Sequence, residues 1–292
     1  MTSDTDVNKN FMNENWWETA TVEDIEAEIA RGADILAEYK KGGASLLHIA
    51  AAVTDSPEVI KFLVNHGISV DGKDNEGRTP LIMAAEINNN PKIIKILVEL
   101  GANIDIKAHK CTVLEFAAMH NPNIDIIKTL INLGADVNAK HEINSVLEWA
   151  VAHNPNPEII KFLLKEDKIT DRTSLVHKAA SGNTTEILDM FLESTADLNA
   201  LLIDASANKH AGVIRYLVER GANINARDAE YNWNNTVLMC AVEWENLWAV
   251  KILIELGADV KAKNAIGKTV LDLAKSIKNH EIIQILQENG AE

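Results

Sequence analysis

Cysteine is scarce: Cys111 and Cys240 are the only two in 292 residues, and they stand far apart. A disulfide framework is therefore excluded as the source of stability, and a reducing compartment is expected. Cations are outnumbered, with 28 Lys and Arg against 43 Asp and Glu and a net charge of −15. Nucleic-acid binding needs a basic footprint that displaces counterions from phosphates, so the overall field argues against DNA or RNA as a partner. Apolar runs are short. None approaches the roughly 18 residues that a membrane-crossing helix needs, and no membrane partner is expected. The opening stretch MTSDTDVNKNFMNENWW has neither the basic n-region nor the apolar h-region of a secretory signal, which points to the cytoplasm. Aromatic residues make up only 5% of the chain, so any local concentration of them is informative.

What the chain does contain is a period. Six segments end alike: VNHGISVDGK, VELGANIDIK, INLGADVNAK, VERGANINAR, IELGADVKAK and a truncated QENGA. Their glycines are Gly67, Gly101, Gly134, Gly221, Gly257 and Gly290. Self-similarity at this spacing marks a stack of small supersecondary blocks rather than a globule with one closed core.

Each block has the same internal design. In TPLIMAAEINNNPKIIKILVELGANIDIKA (79–108) a short apolar helix comes first, and Ala84 and Ala85 let a neighbour approach closely. Asn90 and Pro91 start a second helix, since Asn accepts bonds from free N–H groups and Pro has no N–H to leave unmet there. Ile93, Ile94, Leu97 and Val98 place an apolar stripe on one face. Gly101 ends the helix where the chain must turn left-handed. First helices recur from SLLHIAA (45–51) to TVLDLAK (269–275).

These motifs resemble the ankyrin repeat family, whose block carries T-P-L-H-x-A-A, a second helix and then G-A-D-V-N-A. Thr79-Pro80-Leu81 and Ser45-Leu46-Leu47-His48 match the front, and Gly134-Ala135-Asp136-Val137-Asn138-Ala139 matches the back. The resemblance implies an all-α solenoid of about nine helix pairs with short crossing fingers. Residues 1–13, polar, poor in apolar side chains and terminal, are expected to form a disordered tail ahead of one repeat domain over 14–292. Within that domain, 14–41 is a degenerate cap, 42–268 holds the repeats and 269–292 is the closing cap. Departures are visible. His48 and His177 keep the motif histidine, but Ile82, Glu115, Glu148, Ile203, Met239 and Asp272 replace it. The glycine is lost at KEDKI (165–169), and no finger precedes Leu198, so the stack is expected to bend or tighten there.

Chemistry is hard to find. There is no G-x-G-x-x-G, no G-x-x-x-x-G-K-[ST], no H-E-x-x-H and no G-x-S-x-G. His109 stands two residues from Cys111, but an exposed finger cannot exclude water or build an oxyanion hole, so Cys111 reads as a surface thiol. His120 and His153 hold equivalent positions in adjacent repeats, yet a third and fourth zinc ligand cannot be named. No catalytic residue, metal or cofactor is assigned, and the chain is not expected to be an enzyme.

In the family, partners contact the crossing fingers and the C-terminal ends of the first helices, which line the concave side. The resemblance therefore implies contacts at Asn75, Glu76 and Arg78 on a finger, and at Ile87, Met119, His120, His153 and Trp244 at helix ends. Ile49, Met83, Phe116, Trp149 and Leu273 form an apolar column read as core, interrupted by Lys178 and Asp204. The finger ARDAEYNWNN is about three residues longer than its counterparts and carries Tyr231 and Trp233. With Trp244 and Trp248, it makes residues 228–248 the best candidate patch, because Tyr and Trp dominate interface hot spots. The alternative is that Trp233 folds back and Trp248 is core. Trp16 and Trp17 are expected to cover the open edge of the first block, one of them left as an anchor. Residues 1–40 hold ten acidic residues against three basic ones, read as a solvated cap or as a dock for a basic partner.

The expected function is a non-enzymatic, monomeric adaptor that holds another protein, in the cytoplasm or in a host cytosol. An inhibitor or immunity protein masking a basic enzyme, and a bacterial factor acting on host proteins, are the alternatives.

Overall fold

A computed structural model describes residues 8–39, 42–138, 140–141, 144–166, 173–192, 196–208, 211–228 and 233–292. Eighteen helices and three two-residue hairpins lie among the described residues, an all-α repeat fold. The chain divides into two compact units, residues 1–150 with 158–168, and 151–157 with 169–292.

The first unit holds α1 (Glu14–Trp17), α2 (Val22–Ala30), α3 (Leu46–Val53), α4 (Pro57–Asn65), α5 (Pro80–Ile87), α6 (Pro91–Glu99), α7 (Val113–His120), α8 (Ile124–Asn132) and α10 (Pro157–Glu166). The helix α9 (Val146–His153) carries the boundary. Odd-numbered helices stack on one another in sequence, α1 on α3, α3 on α5 and α5 on α7. Even-numbered ones do likewise, α4 on α6 and α6 on α8. Antiparallel hairpins form the fingers: β1 (Glu38–Tyr39) with β2 (Ala44–Ser45), β3 (Lys107–Ala108) with β4 (Cys111–Thr112), and β5 (Lys140–His141) with β6 (Asn144–Ser145). The second unit holds α11 (Thr173–Gly182), α12 (Thr185–Asp189), α13 (Leu198–Ala205), α14 (Ala211–Glu219), α15 (Val237–Glu243), α16 (Leu247–Glu255), α17 (Val270–Ile277) and α18 (His280–Glu288). There too α11 stacks on α13, α15 on α17, α14 on α16 and α16 on α18.

Sequence chemistry accounts for the elements. Thr112 caps α7 by accepting from the Glu115 N–H at 3.2 Å, while Glu115 Oε2 accepts from the Thr112 N–H at 2.7 Å. This reciprocal box satisfies two donors at a helix start. Asn90 accepts from Lys92 N–H at 3.0 Å ahead of Pro91, as its place before a second helix requires. The six repeat glycines all take left-handed backbone, with φ from 85° to 103°. The stripe on α6 buries Ile93, Ile94, Ile96 and Leu97. Each such side chain contributes about 1.5–3 kcal/mol relative to exposure.

A ladder of buried asparagines ties successive repeats together. In the first unit, Asn88 Nδ2 donates to the carbonyls of Ala51 and Thr54 at 3.0 and 2.8 Å. Asn121 Nδ2 donates to those of Ala85 and Asn88 at 3.0 and 2.9 Å. In the second unit, Asn183 reaches Val151 and Asn154, Asn208 reaches Ala180 and Asn183, and Asn246 reaches Ser206 and Asn208, all at 2.8 to 3.0 Å. The side-chain oxygens of Asn88, Asn121 and Asn154 accept from the N–H two residues on, at 2.7 to 3.0 Å. The orphan carbonyls at the ends of the first helices thus find buried donors.

The N-terminal tail differs from expectation. Residues 8–12 form turns, and Phe11 is fully buried. The buried Trp17 donates from Nε1 to the Phe11 carbonyl at 3.0 Å, and Trp16 packs edge-on against Trp17 at 4.9 Å. Three aromatic rings therefore close the first block. The lost glycine at KEDKI and the stretch before Leu198 fall wholly or partly on residues 167–172 and 193–195, outside the described residues.

Candidate partner-binding surface

The candidate residues lie at two ends of each repeat, because a first helix starts at a finger and ends at the turn into the second helix. In the first unit the finger residues form a self-braced turn. Arg78 Nε meets Asp74 Oδ2 at 3.0 Å, Nη2 meets Glu76 Oε2 at 3.3 Å, and the Asn75 N–H donates to the Gly42 carbonyl at 2.7 Å. Burial raises the Asp74 pKa, but bonds from the Arg78 backbone and guanidinium outweigh it and hold the carboxyl below its usual value. Asn75 and Glu76 remain exposed, while the Arg78 guanidinium is engaged within its own finger.

At the other end of the first unit, Ile87 and His120 are exposed and Met119 is half-buried. His120 Nε2 lies 4.0 Å from Glu86 Oε1, so consecutive helix ends sit side by side. Met83, Phe116 and Trp149 are half-buried rather than core, and only Ile49 and Leu273 of the expected column are buried. His153 is exposed at the end of α9.

Cys111 is also corrected. Its place in β4, paired with β3, buries it, and Cys240 is buried in α15. Burial, with a smaller effect from the Glu115 carboxylate, pushes the Cys111 thiol up and opposes formation of the nucleophilic thiolate.

In the second unit Trp233, Trp244 and Trp248 are 67, 66 and 64% exposed. Neither alternative, a folded-back Trp233 or a core Trp248, holds. Tyr231 lies outside the described residues. Trp233 precedes α15 and Trp244 is the residue at its C-terminal cap. Trp248, on the first turn of α16, is near Trp244, with Lys251 Nζ 5.7 Å from its ring centre. Where Lys178 and Asp204 were expected to interrupt the column, His177 Nδ1 meets Asp204 Oδ2 at 2.6 Å. Burial and the nearby Asp228 raise the Asp204 pKa, against the pull of His177.

Among the described residues, no three His, Cys, Asp or Glu side chains group as a metal site, and no helix is long and apolar enough to cross a membrane. A family model for ankyrin repeats matches residues 25–108, 47–141, 147–228 and 202–292. The chain belongs to the ankyrin repeat family. Ankyrin repeats are generic protein–protein interaction modules. The chain is similar to alpha-latrotoxin-Lg1a of Latrodectus geometricus, at 30% identity over 120 residues, covering 38% of this chain and 9% of the toxin. It is similar to the putative ankyrin repeat protein FPV031 of fowlpox virus, at 32% over 108 residues, 37% of this chain and 31% of the viral protein. Human ankyrin repeat and SOCS box protein 6 is 34% identical over 130 residues, 39% of this chain and 30% of that protein. The matched stretches thus span a third or less of these relatives.

Two features of these ankyrin repeats escaped the sequence reading. The asparagine ladder had a signal, the recurrence of Asn-x-Asn at 88–90, 121–123 and 154–156. Only the second Asn of each was read, as a helix cap. The other feature is Ile266, 49% exposed on the last finger, which nothing but its neighbours marks.

Proposed function

We propose that this ankyrin repeat chain is a non-enzymatic adaptor that captures a partner protein on the concave side, through its fingers and first-helix ends. The observation that carries the reading is the exposure of Trp233, Trp244 and Trp248 in a chain that buries most of its large apolar side chains. An exposed indole is costly to maintain without use, and Trp is enriched where interfaces concentrate their energy. Half-buried Met83, Phe116, Met119 and Trp149, with Ile87, His120, His153, Asn75, Glu76 and Arg78, supply the surrounding contacts. Tyr231 belongs to the same proposal. The cytoplasm or a host cytosol suits the two free thiols.

The test is affinity capture from native lysate with wild type and with Trp233→Ala and Trp244→Ala variants. The adaptor reading expects a captured protein that the variants retain at least tenfold less well, with unchanged helical circular dichroism. Equal capture by all three overturns it.

A second reading rests on a separate observation. A cavity of about 740 Å³ opens between the turns before α2 and before α4, and Glu18, Glu23, Asp55 and Glu58 line it against a single Lys92. That acidic surface suits an inhibitor that masks a basic enzyme. Capture lost on charge reversal at Glu18 and Glu23, but not at Trp233, would select this reading.

A further inference from the structure

Three consecutive first helices of the first unit carry no Lys or Arg: α3, α5 and α7 read LLHIAAAV, PLIMAAEI and VLEFAAMH. Two of their titratable side chains serve the helix starts. His48 is buried between the Ser45 N–H and the Arg78 carbonyl, and Glu115 is buried in the cap of α7. Glu86 and His120 remain, at the other end. Glu86 lies one turn beyond the half-buried Met83 and beside the exposed Ile87. On α7, stacked against α5, the corresponding positions hold the half-buried Phe116 and Met119 and the exposed His120. On α3 the position of Glu86 is taken by Ala52. One carboxylate thus sits in an apolar surround.

That carboxylate is poorly matched within the chain. Glu86 Oε1 is 4.0 Å from His120 Nε2, too far for a hydrogen bond. Glu86 Oε2 is shielded from solvent and meets no donor among the described residues. Holding an acceptor out of water without a donor costs stability, and an incoming donor would return it. The side chain as a whole is 21% exposed, so a docking group can reach the carboxylate and turn it. The neighbouring fingers do not set a sign. Arg78 is bonded to Asp74 and Glu76 within its own finger, and the exposed Lys107 and Lys110 share the next finger with the exposed Asp105. Selection on this face rests on one shielded acceptor rather than on a field.

We propose that the first-helix face of the first unit docks a protein segment with one Lys or Arg among apolar side chains. The cation bonds to Glu86, and the apolar groups lie on Met83, Ile87, Phe116 and Met119. This rests on the adaptor reading above and adds the partner's chemistry. An arriving guanidinium or ammonium donates to an oxygen that the free chain leaves unmatched, and the closing apolar surround excludes water and strengthens the bond. A neutral or acidic segment would bury Glu86 without a partner, so the face rejects it.

The test selects a displayed library of random peptides on the full chain, wild type and Glu86→Lys in parallel. Peptides enriched on wild type are then measured by fluorescence anisotropy against wild type, Glu86→Gln and Phe116→Ala. Wild type should enrich peptides that hold Lys or Arg beside apolar residues, and each of these two variants should bind them roughly tenfold or more weakly. Glu86→Lys should enrich peptides with Asp or Glu in place of the cation. Glu86→Gln should melt no lower than wild type, because the carboxylate has no bond to lose in the free chain. A lower melting temperature would show a purely structural Glu86 and overturn the proposal. Enriched peptides that lack a cation, or that ignore Glu86→Gln, overturn it too and leave the adaptor reading standing. Failure to enrich any peptide counts against both. Sedimentation in which wild type self-associates and Glu86→Lys does not would make the occupant a second copy of the chain, and the proposal would fall.

Discussion

The His48 imidazole Nε2 lies 3.1 Å from the carbonyl oxygen of Arg78, one repeat further along. Its Nδ1 accepts from the Ser45 N–H at 3.0 Å, so the ring is neutral and carries its proton on Nε2. Burial pushes its pKa below the ordinary 6.5, against smaller upward pulls from the Arg78 carbonyl and the Asp74 carboxylate. A histidine with a depressed folded pKa binds its proton more readily in the unfolded chain. Its stabilising contribution is therefore complete above 6.5 and is lost as pH falls from there towards the folded value. The urea midpoint should fall between about pH 7.5 and about pH 5.5 in wild type. It should fall less in His48→Gln, whose amide can accept and donate at the same places. An NMR titration of the His48 ring with a midpoint at or above 6.5 would refute this.

Removing a rung of the asparagine ladder should be expensive. In Asn121→Ala, the carbonyls of Ala85 and Asn88 lose a buried donor together. We expect a loss of about 2–4 kcal/mol in urea unfolding. Asn121→Asp should cost at least as much, since it keeps the acceptor but brings negative charge towards two carbonyl oxygens. A loss under about 1 kcal/mol would show that the rung is dispensable.

Two glycines should respond with opposite sign. A Cβ on Gly182 would overlap the Ala152 carbonyl, so Gly182→Ala should lower the melting temperature. At Gly212, inside α14, a Cβ would meet only the Thr185 methyl at 3.8 Å, an ordinary contact. Gly212→Ala should therefore stabilise by about 0.5–1 kcal/mol through helix propensity. Calorimetry on both single variants reads the two signs.

The tryptophans separate by access. Trp233, Trp244 and Trp248 are open to solvent, whereas Trp17 is fully buried with its N–H bonded. Acrylamide should quench a large part of the emission in wild type and far less in the triple Phe variant. The remaining spectrum should shift to the blue. Unchanged quenching would place the indoles inside.

Both thiols should be slow to alkylate in the native state. Cys111 is buried with a raised pKa, and Cys240 is 1% exposed. Iodoacetamide at about pH 8 should modify neither at an appreciable rate until denaturant is added. Fast native labelling at Cys111 would restore the surface thiol inferred from sequence.

The period, the second-helix caps and the left-handed glycines were legible because each is a local event: Asn90 and Gly101 act on backbone within four residues. What lay beyond that reach was misread. Cys111 was assigned to solvent because a two-residue strand leaves no pattern. Phe116 and Trp149 were assigned to the core because apolar residues in register signal burial, yet both are only half-buried. The first asparagine of the Asn-x-Asn pairs at 88 and 121 was overlooked since its carbonyl partners are 33 to 37 residues distant.

Asn88, Asn183 and Asn208 each offer the amide backwards and the main-chain oxygen forwards to the next asparagine. An added or deleted copy of a whole helix pair would meet a matching handshake on either side. The array can thus lengthen or shorten by complete modules during evolution, whereas a fractional insertion would strand a polar group at each junction it disturbs.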